Sequence, residues 1–140
     1  MHIVMVSGEY PPRWGGMGSV VYHLAGHMAQ RGHKVTVITR KHKQMAPTQT
    51  GVEVIPVRWA PVPMSFTKSF GKHAIKAIKQ LNRRRSIDVI NAHLPLVSWT
   101  RKQFRFLEDN IAPVLSTLHG YCIRERECDR RAALNREAAT

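Results

Sequence analysis

A chain of 140 residues is long enough for one domain with a sizeable core, since folded chains of this size hide roughly two thirds of the surface they expose when unfolded. Its 43% hydrophobic content argues against a disordered or fibrous class, and no apolar run approaches the ~20 residues of a membrane span. The 22 Lys plus Arg against 9 Asp plus Glu, a formal charge of +13, select for polyanionic partners: nucleic acid, an anionic membrane surface or a phosphorylated ligand.

His2 to Val6 is a short apolar run without polar alternation, as expected of a strand covered on both faces in a parallel sheet. A glycine-rich loop, Ser7 to Met17, follows. From Gly18 the residues Val20, Val21, Leu24, Ala25, Met28 and Ala29 recur at three-and-four spacing, which predicts a helix with one buried stripe, ended by Gly32. Val35 to Ile38 is a second strand. Strand, helix and strand make a right-handed βαβ unit, whose ligand site belongs where the first strand's carboxyl end meets the helix N-terminus.

Val52 to Val57 alternates and is interrupted by Pro56, predicting a third strand near a sheet edge. Helical spacing returns from Thr67 to Arg85. Phe70, Ala74, Ala77, Ile78 and Leu81 lie on one side, and Lys68, Lys72, Lys76, Lys79 and Arg83 on another. Asp88 to His93 predicts a fourth strand, Pro95 to Glu108 a helix, and Pro113 to His119 a fifth strand ending at Gly120. The tail Ile123 to Thr140 is charged and helix-prone. Cys122 and Cys128 have neither zinc nor redox spacing, so they read as reduced thiols of a cytoplasmic protein. The N-terminus enters a strand directly, without a signal-peptide hydrophobic region.

The loop Gly15-Gly16-Met17-Gly18 lets the backbone approach a ligand, and the free N–H groups and dipole of the helix behind it attract phosphate. It is not the dinucleotide fingerprint. Counted from Gly16 the sixth position is Val21; counted from Gly15 the third is Met17. The second strand ends at Thr39-Arg40 with no acidic residue for a ribose. An anionic ligand at the helix start is favoured over a bare turn. His93 and His119 fall at the carboxyl ends of strands, the functional edge of a doubly wound sheet. His23 and His27 stand four apart on the first helix, but without a zincin glutamate or a third ligand they predict no metal site. The basic row from Lys68 to Arg83 is either a solvated face or an amphipathic helix at an anionic leaflet, with Phe66 and Phe70 as interfacial anchors.

The order of short apolar strand, Glu9-Tyr10-Pro11-Pro12, Gly15-Gly16-Met17-Gly18, a helix with Leu24-Ala25, and Arg31-Gly32-His33-Lys34-Val35 resembles the N-terminal domain of family 4 glycosyltransferases of GT-B fold. Asp88 to His93 and Thr117-Leu118-His119-Gly120 resemble the same family's fourth and fifth strand ends. The resemblance implies an α/β, Rossmann-like three-layer sandwich with a mostly parallel sheet, first strand in the middle, and transfer of a sugar from a nucleotide-sugar with retention of configuration and without a metal or other cofactor. By the family pattern Gly15 and Gly16 meet the donor diphosphate, Gly16 through its N–H, and His119 is catalytic, over the reacting sugar. Tyr10, Trp14 and His93 are candidates for the acceptor site, Tyr10 and Trp14 either shaping its mouth or packing the loop.

The resemblance implies a carbohydrate or lipid-linked acceptor and a cytoplasmic protein; membrane-associated members carry a basic helix where Lys68, Lys72, Lys76, Lys79 and Arg83 stand, which points to the lipid-linked case and a peripheral place at the inner face of the membrane. Family members are much longer than this chain. Residues 1–140 therefore correspond to a single acceptor-side domain, inactive without a C-terminal donor-binding domain that carries paired glutamates. Two readings from other classes compete: a basic anion-binding module for membrane or nucleic acid without catalysis, and an NADP-type oxidoreductase fragment using Arg40. Nucleic acid is disfavoured, because the charge follows one helix without interleaved exposed aromatics.

Overall fold

The first strand is apolar throughout because both of its faces are covered. In the structure, a computed structural model that describes residues 1–12, 15–45, 48–62, 65–94 and 96–119, every residue of β1 (His2–Ser7) is buried. The other elements among these residues are α1 (Gly16–Gln30), β2 (Lys34–Arg40), β3 (Val52–Val57), α2 (Phe66–Arg84), β4 (Val89–Leu94), α3 (Arg101–Asn110) and β5 (Val114–Leu118). The strands pair in parallel in the order β3-β2-β1-β4-β5. This is the Rossmann-like sheet expected from the sequence, with β1 in the middle and the proline-bearing β3 on an edge.

Alternation along the strands divides the core in two. Ile3 and Met5 of β1, with Val35 and Val37 of β2 and Val52 of β3, pack under Val21 and Ala25 of α1. Val4, Val6, Ile38, Ile90 and Ala92 face the opposite layer, where Phe70, Ala74, Ile78 and Leu81 of α2 and Leu107 of α3 close over them. Each large side chain fully buried in this way contributes about 1.5–3 kcal/mol. Phe70 is fully buried. It belongs to the core and cannot be an interfacial anchor, which corrects the expectation for that residue.

Two helix starts differ from the sequence reading by two residues or more. α1 begins at Gly16, before its apolar periodicity starts, and ends as expected, with Gly32 at a φ of 89°. α3 begins at Arg101 rather than Pro95 because Thr100 and Gln103 form a reciprocal capping box. The apolar residues ahead of it, Val97 and Trp99, are buried against α2 from a non-helical segment. Trp99 Nε1 donates to the Gly71 carbonyl at 2.9 Å and Ser98 N to the Thr67 carbonyl at 3.3 Å. Trp14, Gly120, both cysteines and the tail helix expected from Ile123 to Thr140 lie outside the described residues.

Candidate functional site

Strand register carries the chemistry to one edge of the sheet. Ser7 at the end of β1 stands opposite Thr39 of β2 and His93 of β4, and His93 stands opposite Thr117 of β5. Alternation places Ser7, His93 and Thr117 on the face that α1 covers. The chain leaving β5 keeps the sheet pattern, with His119 N donating to the Leu94 carbonyl at 3.3 Å. His119 therefore rises beside His93, and Nδ1 of His93 and Nε2 of His119 are 2.7 Å apart, with ring centroids 5.0 Å apart. Beneath them Thr117 Oγ1 and Asn91 Oδ1 are bonded at 2.9 Å, tying β5 to β4.

The two histidines occupy different environments. His93 is completely buried, and its Nε2 has no hydrogen-bond partner among the described residues. Burial, reinforced by His119, lowers its pKa from 6.5 to about 4, so the ring is neutral at physiological pH. His119 is half-buried. Its Nδ1 makes no hydrogen bond among the described residues.

α1 opens onto the same edge. Its N-cap, Gly15, is extended and has no side chain with which to cap, and no acidic residue lies in the helix's own first turn. Glu9 fills that role from the loop. Its Oε1 accepts from Gly18 N at 3.2 Å, and its backbone is clasped by Ser7, whose hydroxyl donates to the Glu9 carbonyl at 2.6 Å. A Cβ on Gly15 would lie 1.9 Å from Glu9 Oε1, whereas one on Gly16 would meet nothing within 4 Å among the described residues. Gly15 is glycine because Glu9 packs against it. Among the described residues nothing crowds Gly16 at the positive end of the helix, a place that favours an anion.

The family model for Glycosyltransferase Family 4 matches residues 14–138. The chain belongs to glycosyltransferase family 4. It is 34% identical to a glycogen synthase of Mycobacterium tuberculosis over 140 positions, 85% of this chain and 33% of that protein. It is 27% identical to one subunit of phosphatidylinositol N-acetylglucosaminyltransferase from Arabidopsis thaliana, over 66% of this chain and 22% of that one. Among solved structures, a sucrose-phosphate synthase from Thermosynechococcus elongatus shares the fold with a TM-score of 0.67 at 19% identity, over 85% of this chain and 33% of that one. The catalytic domain of starch synthase IV from Arabidopsis thaliana matches equally well, at 0.67 and 17% identity, over 85% of this chain and 34% of that one. The family 4 chain spans a third or less of the curated relatives named here.

The other residues singled out in the family 4 sequence fall elsewhere. Tyr10 is buried in the core beneath α1, its ring 5.8 Å from that of Tyr22, and its hydroxyl is pushed up to about 12 by burial and by Tyr22. Of its two expected roles, packing the loop is the one observed. Trp14 lies outside the described residues. Arg40, the residue an NADP-type reading needs free for phosphate, is instead turned inward. Its Nε donates to the Gly8 carbonyl, and its guanidinium lies 4.8 Å from the Trp59 ring centroid and 5.0 Å from that of Phe66. The same contact leaves Phe66 half-buried. His23 and His27 are both exposed on α1, and among the described residues no group of three His, Cys, Asp or Glu could hold a metal.

Lys68, Lys72, Lys76, Lys79 and Arg83 are all exposed on α2, in the layer opposite α1 and apart from the histidines. Lys72, Lys76 and Lys79 join Lys102 and Phe106 of α3 along a groove of about 630 Å³, and the Lys79 ammonium sits 4.5 Å from the Phe106 ring centroid. Glu9 belongs to the Glu9-Tyr10-Pro11-Pro12 stretch of the resemblance, but the sequence alone does not mark it as the cap of α1. Its position two residues beyond a strand and six before the N-cap glycine carries no periodic signal.

Proposed function

We propose that this chain is the acceptor-side domain of a retaining glycosyltransferase, which moves a sugar from a nucleotide-sugar to a carbohydrate or lipid-linked acceptor. The carrying observation is that the open helix start at Gly16 and the His93–His119 pair share one edge and one face of the sheet. Cleavage of the bond between the anomeric carbon and the diphosphate puts charge on the departing phosphate. The N–H of Gly16 at the positive end of α1 is a fixed donor for that charge, needing no reorganisation as it forms. His119, over the sugar, donates to or accepts from its hydroxyls and steadies the transition state. Gly15 and Glu9 shape the wall beside the diphosphate.

In this reading a donor-binding domain with paired glutamates completes the site by holding base and ribose, and residues 1–140 alone bind without turnover. No metal is required, so chelation leaves the rate unchanged. The exposed cations of α2 favour an anionic leaflet and hence a peripheral position at the inner face of the membrane. No described helix is long and apolar enough to cross one.

The first test is amide titration of the chain with nucleoside diphosphates. Shifts centred on Gly16, Met17 and Gly18 are expected at millimolar ligand, and no shift there would remove the diphosphate site. The second uses the enzyme with its donor domain in place. His119→Ala should cut turnover by about 10²-fold or more with the unfolding midpoint unchanged, and unaltered turnover would take His119 out of the mechanism.

A further inference from the structure

We infer that His93 is a positioning residue that sets the tautomer of His119: it donates its Nδ1–H to Nε2 of His119, leaving His119 with its own proton on Nδ1, the nitrogen that meets the sugar. The inference rests on the reading of His119 given above and adds which of its atoms can donate.

Two imidazole nitrogens 2.7 Å apart must be one donor and one acceptor. The direction follows from the far side of His93. That ring is completely buried and its Nε2 has no partner among the described residues. Were the proton of neutral His93 on Nε2, the result would be an orphaned buried N–H, which is rarer in folded proteins than an under-satisfied acceptor. With the proton on Nδ1 the donor is used and only a bare nitrogen goes unpaired. A second proton on His93 is opposed by its burial. The acceptor in the pair is therefore Nε2 of His119, and a neutral His119 that accepts at Nε2 carries its hydrogen on Nδ1.

The consequence is chemical. Of the two ring nitrogens of His119 only Nδ1 is without a hydrogen bond among the described residues, and in this tautomer it is a donor. It can bind a sugar hydroxyl or a ring or leaving-group oxygen through an N–H, and it cannot remove a proton through that atom. Without His93 the ring can take the other tautomer or turn about χ2, and the donor is lost. An asparagine at position 93 can place its side-chain N–H close to where Nδ1 stands; leucine cannot donate and glutamine reaches too far along the ring.

Long-range ¹⁵N–¹H correlation of the histidine rings in the 140-residue chain at pH 7.5 tests this directly. His119 should be in the Nδ1–H form in the wild type and in His93→Asn, and should shift to predominantly Nε2–H in His93→Leu. An Nε2–H form of His119 in the wild type overturns the inference whatever the variants do, and so does an Nδ1–H form that persists in folded His93→Leu. In the enzyme with its donor domain, His93→Leu should lower kcat about tenfold or more, with the donor KM within about twofold, and His93→Asn should recover most of the loss. Failure of asparagine to rescue a folded protein counts against it equally. If the tautomer is as stated but His119→Ala leaves turnover intact, the glycosyltransferase role of His119 falls while the His93 assignment stands.

Discussion

His93 makes the fold sensitive to acid, and the sign of that sensitivity follows from its surroundings. In the unfolded chain the ring titrates near 6.5; in the folded protein burial and His119 lower it to about 4. Between those values the unfolded state holds the extra proton. Stability is therefore complete above pH 6.5 and declines as pH falls toward 4, by about 1.4 kcal/mol per unit and about 3 kcal/mol in all. Urea midpoints measured from pH 8 to pH 4 should show this decline in the wild type and a flatter profile in His93→Asn. Parallel profiles would mean that His93 is not the group responsible. The position of His93 at a strand end is legible in the sequence, since an apolar run ends on it. Its partnership with His119 is not, because 26 residues separate the two and only the register of β4 against β5 brings the rings together.

Helices in this domain are positioned by two glycines with opposite environments. Gly71 of α2 is pressed against the segment ahead of α3, where an added Cβ would lie 2.5 Å from the Ser98 carbonyl oxygen and 3.0 Å from Trp99 Cδ1. Alanine there gains up to about 1 kcal/mol in helix propensity, but overpacking against backbone costs about 1–3 kcal/mol and endangers the bond from Trp99 Nε1 to the Gly71 carbonyl. Gly71→Ala should therefore lower the thermal midpoint, and an unchanged or raised midpoint would show that the 98–99 segment yields freely. Gly16→Ala is the contrasting case. Among the described residues nothing lies within 4 Å of its Cβ, so stability should hold or rise slightly while the methyl intrudes on the proposed diphosphate site. Nucleoside diphosphate titration should then show weakened binding in a fully folded variant, and undiminished binding would move the anion away from Gly16.

The start of α3 shows where sequence patterning misleads at this scale. The sequence reading runs this helix from Pro95, yet Val97 and Trp99 lie ahead of it and are apolar because a non-helical segment packs them onto α2. The better signal is local: Thr100 followed three residues later by Gln103, the capping box that starts the helix.

At the scale of the whole molecule, the exposed basic row of α2 and the proposed sugar site lie in different layers, the site on the α1 side of the sheet and the row on the other. Arg84 is held by Glu53 at 3.2 Å and is not part of the row; Lys68, Lys72, Lys76, Lys79 and Arg83 are. Near an anionic surface each contributes on the order of 1 kcal/mol, and five together on the order of 5 kcal/mol before screening, over a range of about 8 Å at physiological salt. With Phe70 in the core and Phe66 half-buried beside Arg40, charge is the main term, so binding through this helix should be electrostatic and reversible. Replacing all five by glutamine lowers the formal charge from +13 to +8 and leaves the buried side of α2 intact. Cosedimentation with phosphatidylserine vesicles at low salt should fall to the level seen with phosphatidylcholine alone, and wild-type binding should vanish as salt is raised. Equal retention of the variant would place the membrane contact elsewhere, and tight, α2-dependent binding to duplex DNA with none to vesicles would make the basic row a nucleic-acid surface instead.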